Sequence, residues 1–523
     1  MAVQLINCIY TVCITDIFNT MAESILLSAA SDESNYYAQK NYGVYRVSTE
    51  FRNQGLSCQV VQFFNKFSDN EIARVIDKFS NGLKLVGFST LFWEHYDSQS
   101  KQSLIERTNF VISYIKEHYP QVTIIAGGPS SRIFLNDEFT NVDAIFEGFS
   151  EHDFIPYVRS IKYNEPMILP NKFEKDTSIY NTISGNFNFN YSSTVYDPSD
   201  LITSNDVPIL EVGRGCIFKC KFCAFALNGK KKFDYIKDIT VLKDELIRNY
   251  NDYGITTYIL SDDTFNDSLY KVEVLHELFT QLPFKIQFSC YLRLDLLLRY
   301  PTQITLLKEM GLIGAFFGIE SFNKEAAKLI GKGLDPDVAK QALDDLKRIH
   351  WQNDVKIGVG LITGLPYETY DTLEQTKQWI LDDNNLVDQV VPFPLSVSNP
   401  NNLRPQPWDS EFQKNAGKYG FSWPDGHSYN WHNSIGPIKS RHEAAEIWED
   451  FRKAVIQMSR QKQGGFNLLK AYPLIASQIN APSLNVLLLM DRYSYTEYIK
   501  SIEKENSIEQ LYITQYYNLL MAN

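Results

Sequence analysis

Between residues 208 and 395 the sequence repeats a strand, a loop and a helix about six times. Repeated units of this kind predict a parallel barrel or part of one, with the chemistry on the loops that follow the strands. The strands are predicted at 208–213, 256–260, 285–290, 314–319, 356–361 and 389–394. Helices are predicted between them at 241–250, 269–282, 302–310, 336–349 and 372–381.

The loop after the first of these strands carries three of the chain's seven cysteines. Cys216, Cys220 and Cys223 have the spacing CxxxCxxC, and no fourth Cys or His follows nearby to close a tetrahedral zinc site. Three thiolates suit a 4Fe-4S cluster, in which they hold three irons and leave the fourth open to another ligand. The alternative is a loop with three reduced thiols.

The aromatic residue Phe222 precedes the last of these cysteines. The segment thereby resembles the CxxxCφxC motif (φ, aromatic) that defines the radical S-adenosylmethionine (SAM) superfamily. The resemblance implies a partial (β/α)6 barrel of the TIM type, in which SAM binds the open iron through its amino and carboxylate groups. One electron then cleaves SAM to methionine and a 5′-deoxyadenosyl radical. It also implies an electron donor such as flavodoxin or ferredoxin as a partner.

The ends of the second and third strands carry charged candidates for contacts to SAM. Either Asp262 or Asp263 can accept a hydrogen bond from the SAM amino group, with capping of the following helix as the alternative role. Arg293 can pair with the SAM carboxylate, or form a surface salt bridge instead.

The ends of the fourth and fifth strands resemble two further superfamily segments. The sequence Gly-Ile-Glu-Ser at 318–321 is similar to the GIES segment, which implies contacts from Glu320 and Ser321 to the ribose or methionine moiety. Residues 358–369 resemble the GLPGET segment, whose backbone contacts adenine, here at Gly364 and Leu365. Tyr367 stands where that segment has its second glycine.

Upstream, residues 1–162 alternate apolar strand-like runs with helical ones. Strands are predicted at 4–14, 58–64, 84–90, 122–126 and 144–147, and helices at 36–53, 70–79 and 103–118. Continuous apolar runs separated by amphipathic helices predict a doubly wound parallel sheet covered on both faces. Ligands of such sheets bind beyond the carboxyl ends of the strands.

Three of those strand ends are rich in small or hydroxyl-bearing residues. Together with the downstream cysteine motif, they resemble the Rossmann-like cobalamin-binding domain of cobalamin-dependent radical SAM enzymes. The resemblance implies that the corrin and its nucleotide tail are cradled by Ser89, Thr90, Gly127, Gly128, Pro129, Glu147 and Gly148. The DxHxxG motif, which supplies a histidine to cobalt in other cobalamin enzymes, is absent after Asp16. The absence of this motif has two explanations: either the cobalt is bound without a histidine ligand, or the domain no longer binds cobalamin.

The rest of the chain is less informative. Residues 163–207 are rich in Asn, Ser, Tyr and Asp, which is typical of a linker between domains. Residues 396–523 begin with an aromatic segment that either covers the barrel mouth or packs between the barrel and the tail. Helices at 440–463, 483–504 and 508–521 then predict a mainly α-helical C-terminal region.

Composition restricts the partners and the compartment. The formal net charge of −12 argues against nucleic acid as a partner, and no stretch approaches the roughly 20 apolar residues that cross a bilayer. The four cysteines outside the motif favour buried free thiols over disulfides: Cys8, Cys13, Cys58 and Cys290. We expect a cytoplasmic protein.

The sequence therefore predicts a radical SAM enzyme that uses a 4Fe-4S cluster, SAM and cobalamin. The expected reaction is methylation of an unactivated carbon, or of phosphorus, in a small molecule or peptide. A cobalamin-linked radical cyclase or rearrangement enzyme is the alternative. A methylthiotransferase and a non-enzymatic binding or sensing module are further alternatives.

Overall fold

We examined a computed structural model of the chain. It describes residues 22–29, 40–90, 93, 98–128, 130–148, 151–181, 190, 192–204, 206–223, 236–400, 410–426, 430–461 and 506–522. The chain divides into two compact units. The first comprises Met1–Phe187, Thr194–Leu201 and Glu509–Asn523, and the second comprises Asn188–Ser193 and Ile202–Ile508.

The first unit is built on a seven-stranded sheet with the order β2-β1-β3-β4-β5-β7-β6. Its strands are β1 (Ser24–Ser28), β2 (Cys58–Gln62), β3 (Leu85–Ser89), β4 (Thr123–Gly127), β5 (Ala144–Glu147), β6 (Lys172–Glu174) and β7 (Thr177–Asn181). All pair in parallel except β6, which pairs antiparallel with β7. The order reverses at β1, which lies between β2 and β3, and such a switch point opens a ligand crevice in doubly wound sheets.

Amphipathic helices connect these strands. They span Gly43–Asn53, Asp69–Phe79, Ser98–His118 and Glu151–Tyr163, with short 3₁₀ turns at Phe64–Lys66, Ser131–Leu135 and Pro198–Asp200. The helix Asp69–Phe79 shows why they form. Ser68 and Glu71 make a reciprocal capping box at its start, and Ile72, Val75 and Ile76 are buried along one face at helical spacing.

One prediction for this unit is wrong, and another falls on residues that the structure does not describe. Residues 163–207, predicted as an irregular linker, contain β6 and β7, which extend the sheet. These strands are short and polar because they lie toward the sheet edge, so no continuous apolar run marks them. The strand predicted at 4–14 lies outside the described residues, and the described first strand is Ser24–Ser28.

The last described helix, Asn506–Ala522, belongs for most of its length to this first unit. The Tyr516 hydroxyl accepts a hydrogen bond from the Gln62 amide at 3.0 Å, and its ring lies edge-on to Phe63. Lys78 Nζ donates to the Leu520 carbonyl at 2.9 Å near the helix end. A contact spanning more than 400 residues leaves no local signal in the sequence.

The second unit contains six parallel strands in the sequential order expected of a partial barrel. They are β8 (Ile209–Leu210), β9 (Thr257–Leu260), β10 (Gln287–Leu292), β11 (Leu312–Glu320), β12 (Lys356–Thr363) and β13 (Gln389–Pro394). The intervening helices are Ile239–Tyr253, Leu269–Thr280, Leu294–Arg299, Thr302–Glu309, Lys324–Ile330, Pro336–Asp345 and Tyr370–Leu381, with a π-helical turn at Leu346–His350. The predicted α/β class and the six strand-helix units are confirmed.

The aromatic segment after the barrel packs against its last strands. It includes the elements Glu411–Lys414, Ala416–Tyr419, β14 (Phe421–Ser422) and β15 (His432–Asn433), followed by the helix Arg441–Gln461. Trp431 is fully buried and donates to the Leu395 carbonyl at 2.9 Å, while Thr363 Oγ1 donates to the Ala444 carbonyl at 2.9 Å. These contacts support packing between barrel and helix. Trp408, His427 and Tyr429 lie outside the described residues. None of the helices in the described part of the chain combines the length and apolar character needed to span a membrane.

Candidate active site at the carboxyl ends of the barrel strands

The cysteine loop lies directly after β8, where a parallel barrel places its chemistry. Cys216 is buried, whereas Cys220 and Cys223 are half-buried. Cys216 Sγ accepts a hydrogen bond from the Phe218 amide at 3.4 Å and lies 3.5 Å from Thr264 Oγ1. The Cys223 amide donates to the Cys220 carbonyl at 3.0 Å, which folds the loop into a tight turn.

Arg293 directly follows β10, and its side chain packs against the cysteine loop. Its guanidinium carbon lies 3.9 Å from the Phe218 ring centroid, and its Nη1 lies 3.7 Å from Cys220 Sγ. Two further nitrogens pair with the Asp295 carboxylate at 3.0 and 2.8 Å. Arg293 is buried, so the alternative role in a surface salt bridge is wrong, although Arg293 does form an ion pair with Asp295.

This environment fits thiolate ligands. Burial raises the pKa of the Cys216 thiol, and the Thr264 hydroxyl and the Phe218 amide partly offset the rise because they stabilise the thiolate. Among the described residues, no group of three or more His, Cys, Asp or Glu side chains is placed to hold a metal ion. In a cubane each cysteine binds a different iron, so its ligands need not converge on one point. The three thiols and their hydrogen-bond donors therefore suit a cluster.

The two aspartates after β9 have different environments. Asp262 is buried and its Oδ2 lies 2.5 Å from Lys271 Nζ, which also lies 3.4 Å from Asp267 Oδ1. Asp263 is exposed at the strand end, although its carboxyl group is partly shielded from water, and this desolvation together with the Asp262 charge raises its pKa to about 7. Ser268 caps the following helix, so the capping role considered for either aspartate is wrong. The accessible candidate for the SAM amino group is Asp263.

The ends of β11 and β12 are joined by a buried side chain that the sequence did not single out. Ser321 Oγ donates to Glu368 Oε1 at 2.6 Å, and the Gly364 amide donates to Glu368 Oε2 at 3.3 Å. The Leu365 side chain is buried in the protein, so only its backbone is left as a candidate for contact with a ligand. Glu320 has a left-handed backbone, with φ of 69°, and its carboxylate lies 3.6 Å from Lys332 Nζ. The available sequence signal for Glu368 was its position in the segment that resembles GLPGET, where it is the only acidic residue between Gly358 and Thr369.

The structure brings four of the small-residue positions in the first unit together. Ser89 and Gly127 pair in register at the ends of β3 and β4, and Thr90 donates to the Gly127 carbonyl through both its amide and its hydroxyl, each at 2.9 Å. Gly128 has a φ of +110°, and a Cβ there would lie 3.1 Å from Thr90 Oγ1. The left-handed backbone and the close contact with Thr90 therefore favour glycine at this strand end.

The remaining predicted positions of that unit lie at β5 or beyond the description. Glu147 is buried and forms an ion pair with Arg132, with Oε2 accepting from Nη2 at 2.9 Å. Gly148 follows it with a φ of 82°. Pro129 lies outside the described residues.

Sequence reasoning missed a polar row at the switch point of this sheet. Gln62, Ser28 and Ser89 share one register row across β2, β1 and β3. Asn41 bonds to both ends of the row, since its amide donates to Gln62 Oε1 at 3.0 Å and its Nδ2 donates to Ser89 Oγ at 3.1 Å. Ser28 Oγ is buried and has no hydrogen-bond partner within the described chain. These residues fit a crevice that accepts a polar ligand group.

Comparison with known proteins agrees with this geometry. Residues 210–380 match the model of the radical SAM superfamily. A methyltransferase of Pyrococcus horikoshii, itself uncharacterised, is 25% identical over 324 residues, which cover 59% of this chain and 66% of that protein.

Two solved structures are similar in fold. TsrM from Kitasatospora setae, a radical SAM methyltransferase solved with cobalamin and a [4Fe-4S] cluster, has a TM-score of 0.61 at 13% identity, covering 92% of this chain and 100% of TsrM. The cobalamin-dependent SAM radical enzyme OxsB, solved with aqua-cobalamin and SAM, has a TM-score of 0.52 at 14% identity. That match covers 70% of this chain and about half, 53%, of the OxsB chain. The predicted fold class, a doubly wound parallel sheet together with a partial barrel, is confirmed.

Proposed function

We propose that this chain, whose residues 210–380 match the radical SAM superfamily, is a cobalamin-dependent radical SAM methyltransferase. Its substrate would be an unactivated carbon, or a phosphorus, of a small molecule or peptide. The observation that carries the proposal is the common position of the cysteine loop, Arg293, Asp263 and the Ser321–Glu368 link. All lie at the carboxyl ends of strands in one parallel sheet.

In this proposal the barrel residues have separate tasks. Cys216, Cys220 and Cys223 hold the cluster, and Arg293 donates to the Cys220 sulfur while it stacks on the loop. Asp263 accepts from the SAM amino group. When bound, the cluster would supply the electron that cleaves SAM, and cobalamin would carry the methyl group.

The same proposal assigns the SAM nucleotide to the ends of β11 and β12. Ser321 and Glu320 face the ribose or methionine moiety, and the backbone of Gly364 and Leu365 faces adenine. Gly364 has a left-handed backbone, with φ of +91°, and packs closely on the segment after the barrel, since a Cβ there would lie 2.6 Å from Ala444 Cβ. The turn can therefore be built only with glycine.

For cobalamin, the proposal uses the carboxyl edge of the first unit's sheet. Ser89, Thr90, Gly127 and Gly128 lie at the ends of β3 and β4, and Glu147 and Gly148 lie at the end of the next strand, β5. The methyltransferase relative and the two cobalamin-bound structures support this assignment. An optical spectrum of protein purified anaerobically with cobalamin supplied tests it, because bound corrin absorbs in the visible range.

The products of SAM turnover test the reaction. Radical methylation predicts S-adenosylhomocysteine together with 5′-deoxyadenosine, because one SAM donates methyl and another supplies the radical. Deoxyadenosine alone would contradict methylation and favour cyclisation or rearrangement. About eight irons per chain instead of about four would favour a methylthiotransferase with a second cluster. Cys58 lies buried within β2, which suits such a ligand poorly.

A further inference from the structure

Glu368 is buried, and both of its carboxylate oxygens are used. Oε1 accepts from Ser321 Oγ at 2.6 Å, and Oε2 accepts from the Gly364 amide at 3.3 Å. Ser321 immediately follows β11, and Gly364 immediately follows β12. One carboxylate therefore joins the ends of two adjacent strands.

Local hydrogen bonds order Ser321 and the turn that carries Glu368. Ser321 Oγ also accepts from the Asn323 amide at 3.0 Å, which fixes the hydroxyl relative to the following helix. The Glu368 amide donates to the Leu365 carbonyl at 3.2 Å, which closes the turn on itself. The carboxylate thus connects two segments that are already locally ordered.

This link is costly to maintain. Among the described residues, no cationic side chain pairs with Glu368, so its charge is balanced only by neutral hydrogen-bond donors. A buried carboxylate without a cation destabilises a fold. Its presence between two proposed SAM-contact segments points to a role in shaping the site.

We propose that Glu368 is a positioning residue for SAM binding. It holds the ribose side of the nucleotide site, at Ser321, in register with the adenine side, at Gly364. It acts through these two residues and does not contact SAM itself. The inference rests on the proposed function and adds to it a residue that sets SAM affinity.

Two substitutions break the link at different places. Glu368→Gln replaces the charged acceptor with a neutral amide, which weakens the bond from the Gly364 amide and leaves the Ser321 hydroxyl to accept from the NH₂ group instead of donating. Ser321→Ala removes the hydroxyl and leaves the Gly364 contact without its anchor. Glu374→Gln is the matched control, because Glu374 is exposed on the helix Tyr370–Leu381. Amide hydrogen exchange at Gly364 and Leu365 is measured on each chain, and SAM affinity is measured by calorimetry on iron-loaded protein.

Glu368→Gln should raise the exchange rate of the Gly364 amide and weaken SAM binding, each about tenfold. The double variant should bind SAM no more weakly than the poorer single variant, since both changes remove one link. Glu374→Gln should change neither quantity. Unchanged exchange and unchanged affinity in Glu368→Gln would overturn the inference.

The exchange measurement separates this inference from the proposed function. A wild-type chain that holds iron but fails to bind SAM contradicts the proposed function, while Gly364 exchange still tests the link. Should Glu368→Gln fail to fold, Ser321→Ala decides the matter. Wild-type exchange at Gly364 in Ser321→Ala would then show that the strand ends are not coupled.

Discussion

Arg293 Nη1 lies 3.7 Å from Cys220 Sγ, within hydrogen-bonding reach of the sulfur. The same guanidinium stacks on Phe218 and pairs with Asp295, so its planar fork is fully engaged. A cation held beside a sulfur stabilises the thiolate and tunes a cluster bound to it. The geometry therefore assigns Arg293 a role in stabilising the cysteine loop, in addition to any contact with the SAM carboxylate.

We expect Arg293→Ala to lower the iron content of anaerobically reconstituted protein to about half or less of the wild-type value. The loop loses both the stacking contact on Phe218 and the donor to Cys220. The iron content of Arg293→Lys should lie between those of the wild type and Arg293→Ala, because lysine keeps the charge but not the planar guanidinium group. Arg299→Ala, on an exposed position of the neighbouring helix, is the control. Full iron loading in Arg293→Ala would remove Arg293 from the cluster site.

The two aspartates after β9 should respond differently to substitution. Asp262→Asn removes the charge nearest to buried Lys271 and should lower the free energy of unfolding by about 3 kcal/mol. Asp263→Asn should not lower the free energy of unfolding, because the raised pKa of Asp263 shows that its charge does not stabilise the fold. It should weaken SAM binding about tenfold, because the exposed carboxylate is the proposed acceptor for the amino group. Calorimetric SAM titration and urea unfolding measure the two effects. Wild-type SAM affinity in Asp263→Asn would exclude this assignment.

Glu368 predicts a pH dependence of stability. Burial raises its pKa to about 7 from the ordinary 4.5, partly offset by hydrogen bonds from Ser321 and the Gly364 and Leu365 amides. As pH rises from about 4.5 to 7, the unfolded chain loses this proton first, so the folded state is progressively destabilised. The contribution is complete above pH 7 and amounts to about 3 kcal/mol.

Urea unfolding of the wild type and Glu368→Gln at pH 5 and pH 8 measures this contribution. The amide cannot ionise, so the variant should gain stability relative to the wild type at the higher pH. A difference between the two chains that is the same at both pH values would show that the Glu368 carboxyl titrates normally.

Tyr367 should be strained. It has a left-handed backbone, with φ of 72°, at the position where the superfamily segment has glycine, and 47% of the residue is exposed. Tyr367→Gly should raise the free energy of unfolding by up to about 1 kcal/mol, since glycine adopts this conformation without steric cost. Tyr367→Ala removes the ring but keeps the Cβ, so it should give no such gain. Equal stability in the two variants would mean that the backbone conformation is not the cause.

Much of the barrel was predictable from sequence because its strands are continuous apolar runs between periodic helices. β11 and β12 are nearly entirely buried, and their sequences show it. The strands β6 and β7, at one end of the first sheet, were missed because they are short and carry several polar side chains. The stretch Ser24–Ser28 was missed because it is brief and follows a longer apolar run at 4–14.

The sequence placed candidate residues at strand ends but not their pairings. Ser321 and Glu368 are 47 positions apart, and no local pattern indicates that their side chains meet. Asp262 and Asp263 are equivalent in sequence, and only the burial of Lys271 distinguishes them. Residue type and spacing thus predicted the chemistry, whereas long-range packing decides which side chain is accessible.

The central claim is that Cys216, Cys220 and Cys223 hold a cluster that cleaves SAM. The most direct measurement quantifies iron and 5′-deoxyadenosine in the wild type and in Cys220→Ala, after anaerobic reconstitution and addition of SAM and a reductant. The account predicts about four irons per chain and deoxyadenosine formation in the wild type, with both lost or strongly reduced in Cys220→Ala. A wild-type chain without a cubane, or a Cys220→Ala variant that forms as much deoxyadenosine as the wild type, would contradict it.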